Sequence, residues 1–245
     1  MSLKRKNLIK YFLYQKSLYN KKMNTQLSLP LKRKNLLEDH FLRYKVLLGN
    51  KLKFTNPQTY EVISGLNFAG NSIFDVEKSI ASLKRALNFI QKVQANEGII
   101  LFIGTRPDLK EIVKYVGSKT NSPYVNDRWS KGLLTNWENT SNSIRFYNLF
   151  LKKLSLRAKK KKKIMDTFLG LKTLKKLPDA IFVFDVNADI DVLKEAKSLN
   201  IPIIAISDTN VSLNDIDYPI LGNSGSILPL AFFSNLIIST FTKKV

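Results

Sequence analysis

The chain has no cysteine and a single histidine, His40, which stands beside the acids Glu38 and Asp39. Without cysteine there is no disulfide and no thiolate metal site. With one histidine outside the apparent core, catalytic triads and histidine-based zinc sites lose their usual parts. Neither a metal nor a cofactor is expected. Acids are also scarce at one end, since the first 37 residues contain none. No apolar run approaches the roughly 20 residues needed to span a bilayer. Residues 227–241 are apolar, but the run is short and polar residues interrupt it, so it reads as a buried C-terminal helix and no membrane partner is expected.

What the chain has in excess is positive charge. Forty basic residues against 19 acids leave a formal charge of +21 over 245 residues. A field of that size opposes compactness unless a polyanion neutralises it. The excess is uneven. Residues 1–60 hold 14 basic and 2 acidic side chains, and residues 151–178 hold 11 and 1. Residues 179–245 hold 4 and 8. This is the layout of a nearly neutral folded body with basic arms for phosphate contact. Candidate RNA contacts on the arms are Lys4, Arg5, Lys6, Lys32, Arg33 and Lys34, within two echoes of the same Leu-Lys-Arg-Lys-Asn-Leu phrase. The internal arm adds Lys159, Lys160, Lys161, Lys162 and Lys163. An acid-free N-terminus also suits a mitochondrial targeting segment, but such segments are rich in Arg and Ser. This one is dominated by Lys, Leu, Asn and Tyr, which favours an RNA-binding extension.

From about residue 72, short apolar runs alternate with amphipathic segments. Strands are expected at 72–75, 99–103, 123–125, 180–184, 202–206 and 218–221. Helices are expected at 76–96, 108–117, 140–156 and 188–199, with a last one ending near 241. In the first helix Val76, Ile80, Leu83, Leu87, Ile90 and Val93 recur at helical spacing. Strands alternating with helices imply a doubly wound parallel sheet, with ligands at the carboxyl ends of its strands. The reading divides the chain into a basic N-terminal extension, 1–52, and an α/β domain, 53–245, carrying a basic helical insertion at 151–177.

Strand ends are where an enzyme would place its chemistry. Gly104-Thr105-Arg106 follows a strand and opens a helix, so its N–H groups could bind phosphate. It matches neither the dinucleotide fingerprint nor the Walker pattern. Asp185 and Asp208 each follow a strand, as in metal-dependent phosphotransferases. Asp185 has no second aspartate two residues on, and Asp208 reads equally as a turn or cap residue. A phosphate- or nucleotide-binding α/β enzyme using Gly104–Arg106 and Asp185 is therefore the alternative reading, not the first.

The richest stretch is 123–137, Pro-Tyr-Val-Asn-Asp-Arg-Trp-Ser-Lys-Gly-Leu-Leu-Thr-Asn-Trp, which holds both tryptophans of the chain. Aromatic faces beside guanidinium, ammonium and amide groups can stack on bases and grip phosphates. A turn pinned by buried tryptophans is the competing reading. The segment closely resembles the central signature of the S-two family of small-subunit ribosomal proteins, through Val125, Asn126, Arg128, Trp129, Gly132, Leu134, Thr135 and Asn136. Five further phrases resemble that family in order: Ile73–Ser79, Leu101–Arg106, Leu177–Asp185, Lys194-Glu195-Ala196 followed by Asn200-Ile201-Pro202, and Asp208-Thr209-Asn210.

There are departures. Ser130 and Lys131 replace a Leu and a Gly. The glycine- and histidine-rich N-terminal loop is not recognisable around Tyr44–Lys53. Leu221-Gly222-Asn223-Ser224 stands where the family has Pro-Gly-Asn-Asp, and the inserted helical hairpin is short. The resemblance implies a flavodoxin-like three-layer α/β/α fold and a structural, non-enzymatic role in the small ribosomal subunit. It implies partners in small-subunit rRNA and neighbouring ribosomal proteins, with no small-molecule substrate. The RNA-binding candidates in the body are Arg106, Asn126, Arg128, Trp129, Lys131 and Asn136. The departures, with a Lys, Asn and Ile bias, point to a mitochondrial ribosome in the matrix; a plastid or bacterial cytoplasm is the alternative.

Overall fold

The computed structural model describes residues 31–150 and 169–242. Lys4–Lys6 and Lys159–Lys163 lie outside them. The chain divides into two compact units, one ending at Tyr44 and one spanning Lys45–Val245. In the first, a helix, α1 (Leu31–Arg43), carries Lys32, Arg33 and Lys34.

The second unit begins with a small antiparallel sheet of β1 (Leu48–Lys51), β2 (Ile63–Leu66) and β3 (Asn71–Phe74), in the order β1-β3-β2. Two 3-10 turns, Leu52–Phe54 and Pro57–Val62, join its first two strands. Helix α2 (Val76–Ala95) follows, capped by Asp75, whose carboxylate accepts the Lys78 N–H at 3.0 Å. Ile80, Leu83, Ala86, Ile90 and Val93 form its buried stripe.

The main sheet comprises β4 (Ile100–Ile103), β5 (Tyr124–Val125), β6 (Ala180–Val183), β7 (Ile203–Ser207) and β8 (Tyr218–Leu221). All pairings are parallel and the order is β5-β4-β6-β7-β8. Counting within this sheet, that is 2-1-3-4-5, the flavodoxin order. Between the strands run α3 (Lys110–Thr120), α4 (Trp137–Phe150), α5 (Ile190–Ser198) and the C-terminal α6 (Ile227–Thr242). Strands β4, β6 and β7 are buried throughout, as a sheet covered on both faces requires.

The period-two pleat sorts their side chains into two cores. Leu101, Ile103, Ile181, Val183, Ile203 and Ala205 pack in one cluster with Ile144 of α4 and Val192, Leu193 and Ala196 of α5. On the other face Phe102 meets Phe182 and Phe241, with ring centroids 5.6 and 6.1 Å apart. Helix α6 contacts both α2 and α3, and α2 contacts β8. The result is three layers, as expected. Among the described residues no helix is long and apolar enough to cross a membrane.

Three elements were not anticipated: α1, β1 and β2. The strands are only four residues long and each holds a glycine, so neither shows a usable alternation. Helix α3 starts at Lys110, two residues later than expected. Arg106, Pro107 and Asp108 are taken up by a turn in which the Leu109 N–H donates to the Arg106 carbonyl at 2.9 Å.

The last part of the segment read as an insertion returns to the edge of the main sheet. The Tyr124 N–H of β5 donates to the Gly170 carbonyl at 2.9 Å. A Cβ at Gly170 would sit 2.1 Å from the Tyr124 carbonyl oxygen, so only glycine allows this approach.

Candidate nucleic-acid interface

The carboxyl ends of β4, β6 and β7 bring together Thr105, Arg106, Asp185 and Asp208. Arg106 Nη1 donates to Asp185 Oδ2 at 2.6 Å and to the Ser224 carbonyl at 2.9 Å. Its Nε and Nη2 donate to the two oxygens of Asp108, at 2.6 and 3.0 Å. Four of the five guanidinium N–H groups are thus spent inside the protein. The crevice between β4 and β6, where a flavodoxin-like sheet receives its ligand, is filled by the chain's own ion pair. Arg106 and Asp185, the two groups the enzyme reading needs, are engaged with each other. Asp208 closes on its neighbour, its Oδ1 accepting the Thr209 N–H at 2.6 Å. Among the described residues, no group of His, Asp and Glu side chains is placed to hold a metal ion.

Next to this pair lies Asp189, ahead of α5. Its Oδ2 accepts the Thr105 N–H at 3.2 Å, while its buried Oδ1 has no partner. Burial pushes its carboxyl above the usual range, and the Asp185 charge adds to this against the hydrogen bonds from Thr105. The sign follows from proton binding: the folded state holds the proton more tightly than the unfolded chain. Stability therefore falls as pH rises through the interval between the unfolded and the folded value. Asp189→Asn should raise Tm at pH 7, and the gain should vanish in acid, where both states of the wild type are protonated. Equal Tm differences at the two pH values would show the carboxyl to be ionised in the fold.

The signature loop leaves β5 on the same side of the sheet. Asn126 is buried, and its Nδ2 donates to the Lys110 carbonyl at 2.9 Å, bracing the loop on the first turn of α3. Trp129 is 9% exposed and belongs to the core cluster. Its ring is a core anchor, not an open stacking face, and Trp137 packs against the same cluster. The Trp129 Nε1 donates to Glu195 Oε1 at 2.9 Å, and the same oxygen accepts the Gly132 N–H at 2.8 Å. Glu195 Oε2 accepts the Leu134 N–H at 3.1 Å and the Thr135 N–H at 3.4 Å. One carboxylate on α5 thus gathers the loop 60-odd residues before it. Gly132 makes this possible, because it sits at φ +85°, a conformation side chains disfavour. Asn136 is exposed, and its Oδ1 accepts from Asn139 Nδ2 at 2.9 Å.

With the backbone so held, the cations of the loop point outward. Arg128 is exposed and makes no hydrogen bond or ion pair among the described residues. Lys131 is 81% exposed and meets Asp191 at 3.2 Å. An exposed pair of that kind contributes little and yields readily to a phosphate. Both cations line an open cavity of about 610 Å³ with Thr105, Trp129 and Asp189. Glu195 carries the geometry of the loop, and the sequence reading gave it no role. Its only signal was its place in the Lys194-Glu195-Ala196 phrase.

A flavodoxin-like α/β sandwich whose ligand crevice is closed by an internal ion pair, and whose neighbouring loop presents the exposed cations Arg128 and Lys131, has the build of a binding scaffold. The family model for ribosomal protein S2 matches residues 41–243. The small ribosomal subunit protein uS2 of Neorickettsia sennetsu is 34% identical over 202 residues, covering 78% of this chain and 68% of that protein. That of Marinobacter nauticus is 33% identical over 207 residues, covering 78% and 82%. That of Aeromonas salmonicida is 32% identical over 212 residues, covering 81% and 87%. The chain belongs to the ribosomal protein S2 family.

Proposed function

We propose that this protein is a structural constituent of the small ribosomal subunit that binds rRNA and neighbouring ribosomal proteins, without catalysis. Membership of the S2 family supports the ribosomal role. The observation that carries the RNA contact is Arg128, unpaired and exposed on a loop whose backbone Glu195 and Asn126 hold in place. Arg128 and Lys131 take phosphate oxygens of folded rRNA, and Asn136, exposed further along the same loop, offers an amide. Trp129 contributes by fixing the loop, and Arg106 by bracing the strand ends. The basic segments at Lys4–Lys6, Lys32–Lys34 and Lys159–Lys163 supply further neutralisation, which the concentration of charge outside the body supports. We place the ribosome in the mitochondrial matrix. The Lys, Asn and Ile bias and the departures from the bacterial pattern support this, although the curated relatives compared are bacterial.

The loop assignment is tested with Arg128→Lys. Lysine keeps the charge but loses the planar fork that grips phosphate at two points. Incorporation into the small subunit should fall while Tm changes by less than about 1 °C, since the side chain has no internal partner. A variant that lost stability but bound rRNA normally when folded would make Arg128 a brace, and the RNA contact would have to lie elsewhere.

A further inference from the structure

The small sheet ends in a tip that neither the RNA contacts nor the core explains. Phe68, in the turn between β2 and β3, is fully exposed, with a relative accessibility of 114%. The turn holding it is tightly built. Asn67 Oδ1 accepts the N–H groups of Ala69 and Asn71 at 3.0 and 2.9 Å, and the Asn67 N–H donates to the Asn71 carbonyl at 2.9 Å. Gly70, at φ +76°, closes it with an N–H bond to the Asn67 carbonyl, 2.9 Å. The Leu52 N–H donates to the Gly70 carbonyl at 3.2 Å, which brings the end of β1 beside the turn. Leu52 and Leu66 therefore gather at the same end of the sheet, 44% and 49% exposed, and Phe54 follows at 61%. Just behind the tip, the sheet is fastened to the body at Asn50 and through the connection from β1 to β2. Thr209 Oγ1 accepts the Asn50 N–H at 2.9 Å, and its carbonyl accepts the Asn56 N–H and the Thr59 hydroxyl, both at 2.8 Å.

We propose that this tip is a preformed plug for an apolar pocket on a neighbouring protein of the small subunit. A solvent-exposed aromatic ring with two half-exposed leucines at the same end of the sheet forms an apolar patch of the kind that marks an interaction site. A rigid turn removes most of the ordering cost of inserting it. Charge separates a protein occupant from RNA. Residues 45–78 carry four basic side chains, Lys45, Lys51, Lys53 and Lys78, against three acids, Glu61, Asp75 and Glu77. This stretch is nearly neutral in a chain of +21. RNA-facing surfaces concentrate cations, whereas the centre of a protein interface is an aromatic or aliphatic anchor depleted of charge. Lys51 and Lys53 stand at the edge of the tip, so the receiving pocket carries carboxylates on its rim.

The inference rests on the ribosomal reading, and the experiment separates the two. The full-length chain, with Phe68 replaced by the photo-crosslinking residue p-benzoylphenylalanine, is expressed in its own cells, and small subunits are isolated and irradiated. Failure of the chain to sediment with the subunit would refute the ribosomal reading itself. Given co-sedimentation, the expected result is one adduct that resists ribonuclease and maps to an apolar cleft of another small-subunit protein. An adduct digested by ribonuclease, or none, would overturn the plug. As a second measurement, Phe68→Ser should reduce occupancy of the subunit at least tenfold in competition with wild type, as loss of an interface anchor does. Its Tm should be unchanged, because the ring touches little of its own protein. Unchanged occupancy would likewise overturn the proposal.

Discussion

Replacing Trp129 by alanine should lower the stability of the free chain by about 3–5 kcal/mol. The ring is 9% exposed and packs with Leu133, Leu134, Ile144 and Val192 in the core under α4 and α5. Truncation leaves a cavity that the surrounding strands cannot close, since their own side chains are locked in the sheet. It also removes the Nε1–H bond to Glu195. For a domain of this size, a loss of 1 kcal/mol moves Tm by about 2–4 °C. The expected fall is therefore about 6–20 °C by calorimetry or circular dichroism. A shift below 2 °C would mean that the ring is not buried in solution, and a stacking role on RNA would regain its claim.

Glu195→Gln should cost nearly as much while removing no atom from the core. In the wild type both carboxylate oxygens face N–H donors: Trp129 and Gly132 on one side, Leu134 and Thr135 on the other. Glutamine has one oxygen. Whichever way its amide turns, an NH2 group confronts N–H groups. Hydrogen bonds to a charged partner contribute about 1.5–3 kcal/mol each, and those sharing one carboxylate do not add. A loss of about 3 kcal/mol is expected, read as a Tm lowered by about 6–12 °C. The double variant with Trp129→Ala should lose less than the sum of the two, because they share a bond. Strict additivity would show that Glu195 and Trp129 act independently and would overturn the account of the loop as one unit.

The parts of this fold visible in the sequence are those where one local rule dominates. Residues 100–103, 180–183 and 203–206 are continuous apolar runs because both faces of their strands are covered, and a run of that length admits few other readings. Helix α2 showed itself through its spacing. Helix α1 was hidden because Lys32–Lys34 and the Glu38–His40 cluster obscure its apolar positions. Strands β1 and β2 have no local signature at all. They exist because β3 offers them partners and because Thr209 holds the loop between them.

The site was legible in composition but not in assignment. Residues 123–137 announced a functional loop, yet its tryptophan was equally readable as core or stacking face. Deciding required the position of Glu195, 66 residues on. Arg106 gave a similar lesson. Its place after a strand suggested a phosphate contact, while one of its two carboxylate partners, Asp185, lies 79 residues away and invisible to any spacing rule. Interactions across such separations are what the sheet order creates, so they become readable only when the order is known.

Gly170 has a consequence for how this family can vary in length. Its carbonyl takes the free N–H of the edge strand at Tyr124, while Ile144 of α4 sits in the core just before the insertion. The chain is therefore clamped at both ends of the inserted segment, on sites belonging to the sandwich itself. Whatever lies between the clamps can lengthen, shorten or change its charge without disturbing a single strand register. Natural selection can thus rework that segment while the scaffold remains unaltered, provided the residue at position 170 never acquires a side chain.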